Sequence, residues 1–271
     1  MLLGRRRDAS TGSPLYAAGM HPDLAFGLEL ADLADTITRE RFQADDLLVE
    51  TKPDLSPVTE ADRAVEQALR KRISEERPGH SVIGEEYGAD QPGSARWILD
   101  PIDGTKNYLR GLPVWATLIA LERDGRVEVG VVSAPALHRR WWAARGEGSF
   151  VNGRRIRVSQ IAQLSDAVLS YASLLSWEQH GLGEQFLNLA RGCWRTRGFG
   201  DFWSHMLVAE GAADVAVEPE VEVWDLAAPQ VIVEEAGGRF TDLGGTPTPA
   251  GGSAASSNGL LHDQVLATLR P

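Results

Sequence analysis

The sequence predicts an α/β (α+β) protein made of two unlike halves, and three patterns carry that prediction. Apolar residues recur at helical spacing over residues 22–42 and again after Thr59. Short apolar or alternating runs then follow one another from Ser81 to Ala144, separated by Gly, Pro and charged residues. Beyond about residue 160, strand-like and helix-like runs alternate.

In the first helix, expected from Pro22 to Phe42, Leu24, Leu28, Ala31, Leu33, Ile37 and Phe42 fall close to one face. Thr59 is an N-cap candidate for the second, with Asp62 three positions on. Val65, Leu69 and Ile73 supply its apolar stripe, and Pro78-Gly79 ends it. Strands are expected at Ser81–Ile83, Trp97–Leu99, Val114–Leu121, Val127–Val132 and Trp141–Ala144, with a turn at Asn152-Gly153. The later elements are Val168–Tyr171, Glu184–Arg191, Asp201–Glu210, Asp214–Val217, Asp225–Ala236, Arg239–Thr241 and Leu261–Leu269. A boundary near 150–160 therefore divides a mixed α+β half (21–155) from an α/β half (156–271). Residues 1–20 carry Arg5-Arg6-Arg7 and then Asp, Ser, Thr, Gly and Pro without periodicity, which reads as a disordered extension. They lack the apolar stretch of a signal peptide, and Met20 is a candidate natural start.

The 271 residues carry a net charge of −11, unfavourable for non-specific attraction to nucleic acid or an anionic membrane surface. No apolar run approaches the roughly 20 residues needed to span a bilayer, so a soluble protein is expected. Cys193 is the single cysteine, which excludes an internal disulfide and a Cys-rich zinc site and suits the cytoplasm. An anionic substrate would need neutralising by something other than the chain, and a bound cation is the evident candidate.

Chemistry concentrates in three acidic motifs. Asp100-Pro101-Ile102-Asp103-Gly104-Thr105 follows the apolar run Trp97-Ile98-Leu99, so a buried strand ends in two carboxylates. That is costly without a compensating cation, and oxygen ligands of this kind suit Mg²⁺. The plainer alternative is a solvated surface turn. Ile83-Gly84-Glu85-Glu86 again delivers carboxylates at a strand end, though an isolated motif of this kind could be only a solvated acidic turn. Trp224-Asp225-Leu226-Ala227-Ala228 places Asp225 at the opening of an apolar helix, where it could be only an N-cap.

Together with Glu235-Ala236-Gly237-Gly238, these motifs resemble the inositol-monophosphatase family in order and spacing over nearly all of residues 22–270. The resemblance implies a layered α/β/α/β/α sandwich, a homodimer, and two or three Mg²⁺ ions at a site between the halves. It implies that Glu85, Asp100 and the Ile102 carbonyl hold one ion, and that Asp100, Asp103 and Asp225 hold a second. Backbone at Gly104 and Thr105 would cradle phosphate, with Asp62 and Thr105 orienting the attacking water; Asp62 also reads as a helix cap. The expected partner is a small-molecule phosphate ester, hydrolysed without a covalent nucleophile.

For the rest of the substrate, the resemblance points to Phe199-Gly200-Asp201 and Glu218. A carboxylate at Asp201 favours a cationic ester over a neutral polyol, unless it merely caps the following helix. Arg197–Phe202 and Pro135–Trp142 look like the actinobacterial-type histidinol phosphatases within this family, which makes histidinol phosphate the expected substrate. Inositol phosphate and 3′-phosphoadenosine 5′-phosphate are the alternatives, and a binding role at the transcription machinery is a third. Trp141 and Trp142 also read as hairpin packing. Asn258, in Ser257-Asn258-Gly259, is a further substrate-contact candidate that a turn explains equally well.

Overall fold

The computed structural model describes residues 20–52 and 56–270. Apart from Met20, the expected N-terminal extension lies outside them. The first helix, α1 (Pro22–Arg41), has proline at its first position, where no intrahelical N–H is needed. A short antiparallel pair, β1 (Val49–Thr51) and β2 (Pro57–Thr59), leads into α2 (Glu60–Glu76). Thr59 caps α2 through a capping box: its hydroxyl accepts the Ala61 and Asp62 N–H groups, and its own N–H donates to Asp62 at 2.8 Å.

The first sheet is built from β3 (Ser81–Gly84), β4 (Gly88–Ala89), β5 (Arg96–Asp103), β6 (Ala116–Arg123), β7 (Arg126–Ala134), β8 (Arg139–Ala144), β9 (Gly148–Val151) and β10 (Arg154–Ile156). Its order is β10-β9-β8-β7-β6-β5-β3-β4, and a single turn of helix, α3 (Thr105–Leu109), separates β5 from β6. Asn152 and Gly153, both at positive φ, make the two-residue β9–β10 hairpin.

The second sheet comprises β11 (Val168–Tyr171), β12 (Arg195–Arg197), β13 (Val215–Glu218), β14 (Arg239–Thr241) and β15 (Ala254–Ser257), in the order β12-β11-β13-β15-β14. β11 runs parallel to β12 and β13, whereas β15 pairs antiparallel with β13 and β14. The remaining helices are α4 (Leu174–Gln179), α5 (Gly183–Gly192), α6 (Asp201–Ala209), α7 (Val223–Glu235) and α8 (His262–Leu269).

Side-chain alternation along β5 shows how the layers stack. Trp97 and Leu99 face α1 and α2 and pack with Leu28, Leu30, Val65 and Leu69. Ile98 faces the other way, into a core with Phe202, Met206, Leu226 and Val231 of α6 and α7. Ala216, Phe240 and Ala254 of the second sheet close that core from its far side. Phe186, Leu189, Val265 and Leu266 of α5 and α8 cover the outer face of the second sheet. The result is the five-layer α/β/α/β/α sandwich, with α6 and α7 shared by both sheets. Each fully buried Leu, Val or Ile contributes about 1.5–3 kcal/mol. Gly130 of β7 lets α7 approach closely: a Cβ there would lie 2.5 Å from Val231 Cγ1 and 2.7 Å from the Ala228 carbonyl oxygen.

Trp141 is fully buried, and its indole N–H donates to Glu210 at 2.8 Å, so the packing reading of this tryptophan holds. No helix among the described residues is long and apolar enough to cross a membrane.

Candidate active site

In a regular strand, residues three apart point to opposite faces. Asp100 and Asp103 nevertheless converge, because the pairing of β5 with β6 slips between them. Asp100 stays in the ladder and accepts the Ile102 N–H at 3.0 Å. Asp103 accepts the Phe202 N–H at 2.6 Å, which ties β5 to the first turn of α6. The third member is Asp225, in the first turn of α7. One carboxylate oxygen from each of Asp100, Asp103 and Asp225 lies within 4.8 Å of the others.

Gathering these carboxylates raises the cost of ionising each. Burial, reinforced by Glu85, Asp103, Asp225 and Asp62, pushes Asp100 well above the usual carboxylate range. Burial, then Asp201 and Asp225, does the same to Asp103, against the opposing Phe202 hydrogen bond. Asp225 is pushed up to about 7, chiefly by burial, with Glu85 and Asp201 adding to it. A hard divalent cation meets the needs of this oxygen-only donor set.

Glu85 lines the same cavity but is not one of the converged three. Its carboxylate is paired with Lys52 Nζ at 2.7 Å, and the same ammonium meets Glu86 at 2.7 Å. Burial works against the Lys52 charge, yet the two glutamates raise its pKa on balance. Burial in turn pushes Glu86 up to about 6 despite its Lys52 bond. Sequence reasoning missed Lys52, whose partners lie more than thirty residues away.

Asp62 divides its two oxygens between two tasks. Oδ2 accepts from the Thr59 N–H and hydroxyl in the α2 capping box. Oδ1 lies 3.4 Å from the Thr105 hydroxyl, which donates more closely, at 2.9 Å, to the Ile102 carbonyl. Burial pushes Asp62 up to about 6, against the Thr59 bonds and with help from Glu85. Asp225 uses the same device: its Oδ2 accepts the Glu222 N–H at 2.8 Å. Glu222, not Asp225, is therefore the N-cap of α7.

Gly104, at φ +83, starts α3 without a side-chain cap, leaving first-turn N–H groups beside the cavity. A Cβ at this position would stand 3.0 Å from the Val114 carbonyl oxygen and 3.4 Å from Asp201 Oδ2. Asp201 thus adjoins the turn. Gly200 is the N-cap of α6, and Asp201, at φ +50, makes no cap hydrogen bond, which removes the capping alternative. Its Oδ2 instead accepts from Asn107 Nδ2 at 3.2 Å. Burial raises the Asp201 pKa, while Lys106 opposes that shift.

Glu218, at the end of β13, is buried with Oε1 unpartnered, and burial with Asp201 and Asp225 pushes it well above the usual range. Glu85, Asp103, Gly104, Thr105, Asp201, Glu218 and Asp225 line one cavity of about 400 Å³. Asn258 is not among these lining residues, and of its two readings the turn is the one its bonds match. Its Nδ2 donates to Ser159 and the Ile161 carbonyl, and its Oδ1 accepts the Leu260 and Leu261 N–H groups. It holds a turn together. The Cys193 thiol is pushed up to about 11 by burial, then by Asp214, and is not a poised nucleophile.

The family model described as the inositol monophosphatase family matches residues 20–271. The chain belongs to the inositol monophosphatase family. Within it, the chain is similar to the histidinol-phosphatase of Mycobacterium tuberculosis, at 57% identity over 92% of this chain and 98% of that one. The histidinol-phosphatase of Streptomyces coelicolor is 54% identical over 91% and 96%. Among solved structures of the family, a Thermotoga maritima IMPase superposes with a TM-score of 0.83 at 33% identity, covering 92% of this chain and 97% of that one. The inositol monophosphatase assignment accounts for the five layers and for the acidic motifs meeting at one cavity.

Proposed function

We propose that this chain is a Mg²⁺-dependent phosphatase that hydrolyses L-histidinol phosphate to L-histidinol and phosphate. The observation that carries the substrate is Asp201: a part-buried carboxylate beside the Gly104 turn, free of any capping role. A substrate ammonium group there would gain a charge-assisted hydrogen bond that a neutral polyol cannot make. The two histidinol-phosphatase relatives support the same reading.

Glu85, Asp100, the Ile102 carbonyl, Asp103 and Asp225 would hold the metal, two or three ions in all. Once bound, these supply positive charge that offsets the phosphate dianion and acidify water at the site. Backbone N–H groups at Gly104 and Thr105 bind phosphate oxygens. The Thr105 hydroxyl and Asp62 orient the attacking water, and Asp62 Oδ1 accepts its proton; a pKa of about 6 leaves it ionised and ready at neutral pH. Asp201 and Glu218 hold the substrate's cationic end, with Gly200 setting the start of that helix. A homodimer and a cytoplasmic location are further parts of this proposal, the first to be tested by light scattering.

The decisive experiment compares kcat/KM for histidinol phosphate, inositol 1-phosphate and 3′-phosphoadenosine 5′-phosphate at fixed Mg²⁺. Histidinol phosphate should lead by at least tenfold. A preference for either of the others removes the substrate assignment.

A further inference from the structure

The β3–β4 turn that presents Glu85 is gripped by a side chain that the proposed reaction does not use. Glu66 lies one helical turn after Asp62 on α2 and is fully buried. Its Oε2 accepts the Glu86 N–H at 2.8 Å, and its Oε1 accepts the Tyr87 N–H at 3.2 Å. Arg70, a further turn along, donates from Nε to Glu66 Oε1 at 2.8 Å. The same guanidinium reaches the Gly88 carbonyl and, at 2.9 Å, Asp90 Oδ1, so it spans the far side of the turn. Gly84 makes room for the arrangement: a Cβ there would lie 2.2 Å from Glu66 Oε1.

A buried carboxylate is costly unless hydrogen-bonded, and here three donors converge on it. Two of them are consecutive backbone N–H groups immediately after Glu85, so the carboxylate fixes the peptide planes that aim that residue. Because Asp62 sits on the same helix, one rigid element sets the position of both groups.

We infer that Glu66 is a positioning residue for metal binding, holding the β3–β4 turn so that Glu85 stands beside Asp100. The inference rests on the metal-dependent reading given above. Glu66→Gln keeps the shape but puts an amide where two backbone donors and a guanidinium need an acceptor. Gly84→Ala leaves every polar group present and displaces the Glu66 carboxylate by contact.

Calorimetric titration of the metal-free proteins with Mn²⁺ and Mg²⁺ should show affinity weakened about 10- to 100-fold in each variant. The Mg²⁺ concentration giving half-maximal rate should rise in parallel, and saturating Mg²⁺ should restore most of kcat. A merely structural role would lower the melting temperature while leaving the metal affinity of the folded protein unchanged. Unchanged affinity in folded Glu66→Gln overturns the inference, and if that variant does not fold, unchanged affinity in Gly84→Ala does so alone. Wild-type protein that binds neither ion overturns the metal reading and this inference together; wild-type binding with unaltered variants removes only the inference.

Discussion

Asp225→Asn removes one negative charge from the converged carboxylates while keeping an acceptor for the Glu222 N–H. Burial places the Asp225 pKa at about 7 against an ordinary 3.8, so holding it ionised at pH 8 costs on the order of 4 kcal/mol. The side chain is partly exposed at the cavity, and solvent screening reduces this to about 2–3 kcal/mol. The native carboxyl binds its proton more tightly than the unfolded one. Its contribution to wild-type stability without metal therefore falls as pH rises from about 4, and the loss is complete above about 7. Asparagine does not titrate. Metal-free Asp225→Asn should accordingly melt about 5–10 °C above wild type at pH 8, with the gap closing by pH 4. Phosphatase activity should meanwhile fall by two or more orders of magnitude. Calorimetric melting after chelation, repeated across that pH range, measures the gap. A variant that melts below wild type at pH 8, or turns over normally at millimolar Mg²⁺, refutes the argument that these carboxylates await a cation.

Chelator-treated wild type should be inactive, and its melting temperature should rise with added Mg²⁺ over the concentrations that restore the rate. Asp201→Ala should cost about 10- to 150-fold in kcat/KM for histidinol phosphate, from a lost charge-assisted bond of roughly 1.5–3 kcal/mol, and leave inositol phosphate turnover nearly unchanged. An equal fall for both esters would count against the cationic pairing. Asp62→Asn retains the capping acceptor but not the proton acceptor, so kcat should drop about 10²- to 10⁴-fold with metal affinity intact. Burial raises the Asp62 pKa in the metal-free protein to about 6, and bound Mg²⁺ beside it lowers that value. The acidic limb of the wild-type rate profile should therefore lie below about pH 6 and disappear in that variant.

What could be read from the chain depended on how far apart the interacting residues lie. The capping of α2 by Thr59 was legible because its partners are two and three positions away. Asp62 presented two readings, cap or water-orienting group. One oxygen sits in the cap and the other faces Thr105, so the geometry accommodates both. Asp201 also presented two readings, and here the backbone decided: a left-handed φ behind a glycine cap is not visible in an Asp-Phe-Trp string. Lys52 and Glu66 were illegible because each acts across about twenty or more residues of chain, where no periodicity signals a contact. Asn258 presented two readings as well, because a buried turn amide and a substrate-facing amide look alike in sequence, and its bonds are those of the turn.

Gly130 illustrates how far the determinants of such a site can lie from it. Asp100 and Asp103 belong to the first sheet, and Asp225 belongs to a helix resting on it, so the spacing of the three carboxylates is inherited from the distance between those two layers. One added methyl at Gly130 would meet Val231 and the Ala228 carbonyl and act as a shim beneath α7. In a mutational survey this position would score as an ordinary core glycine, outside any radius drawn around the cavity. Its substitution should nevertheless emerge as a loss of activity out of proportion to the loss of stability. Homology-based redesign of the pocket would therefore have to conserve this inter-layer spacing as strictly as the acidic residues themselves.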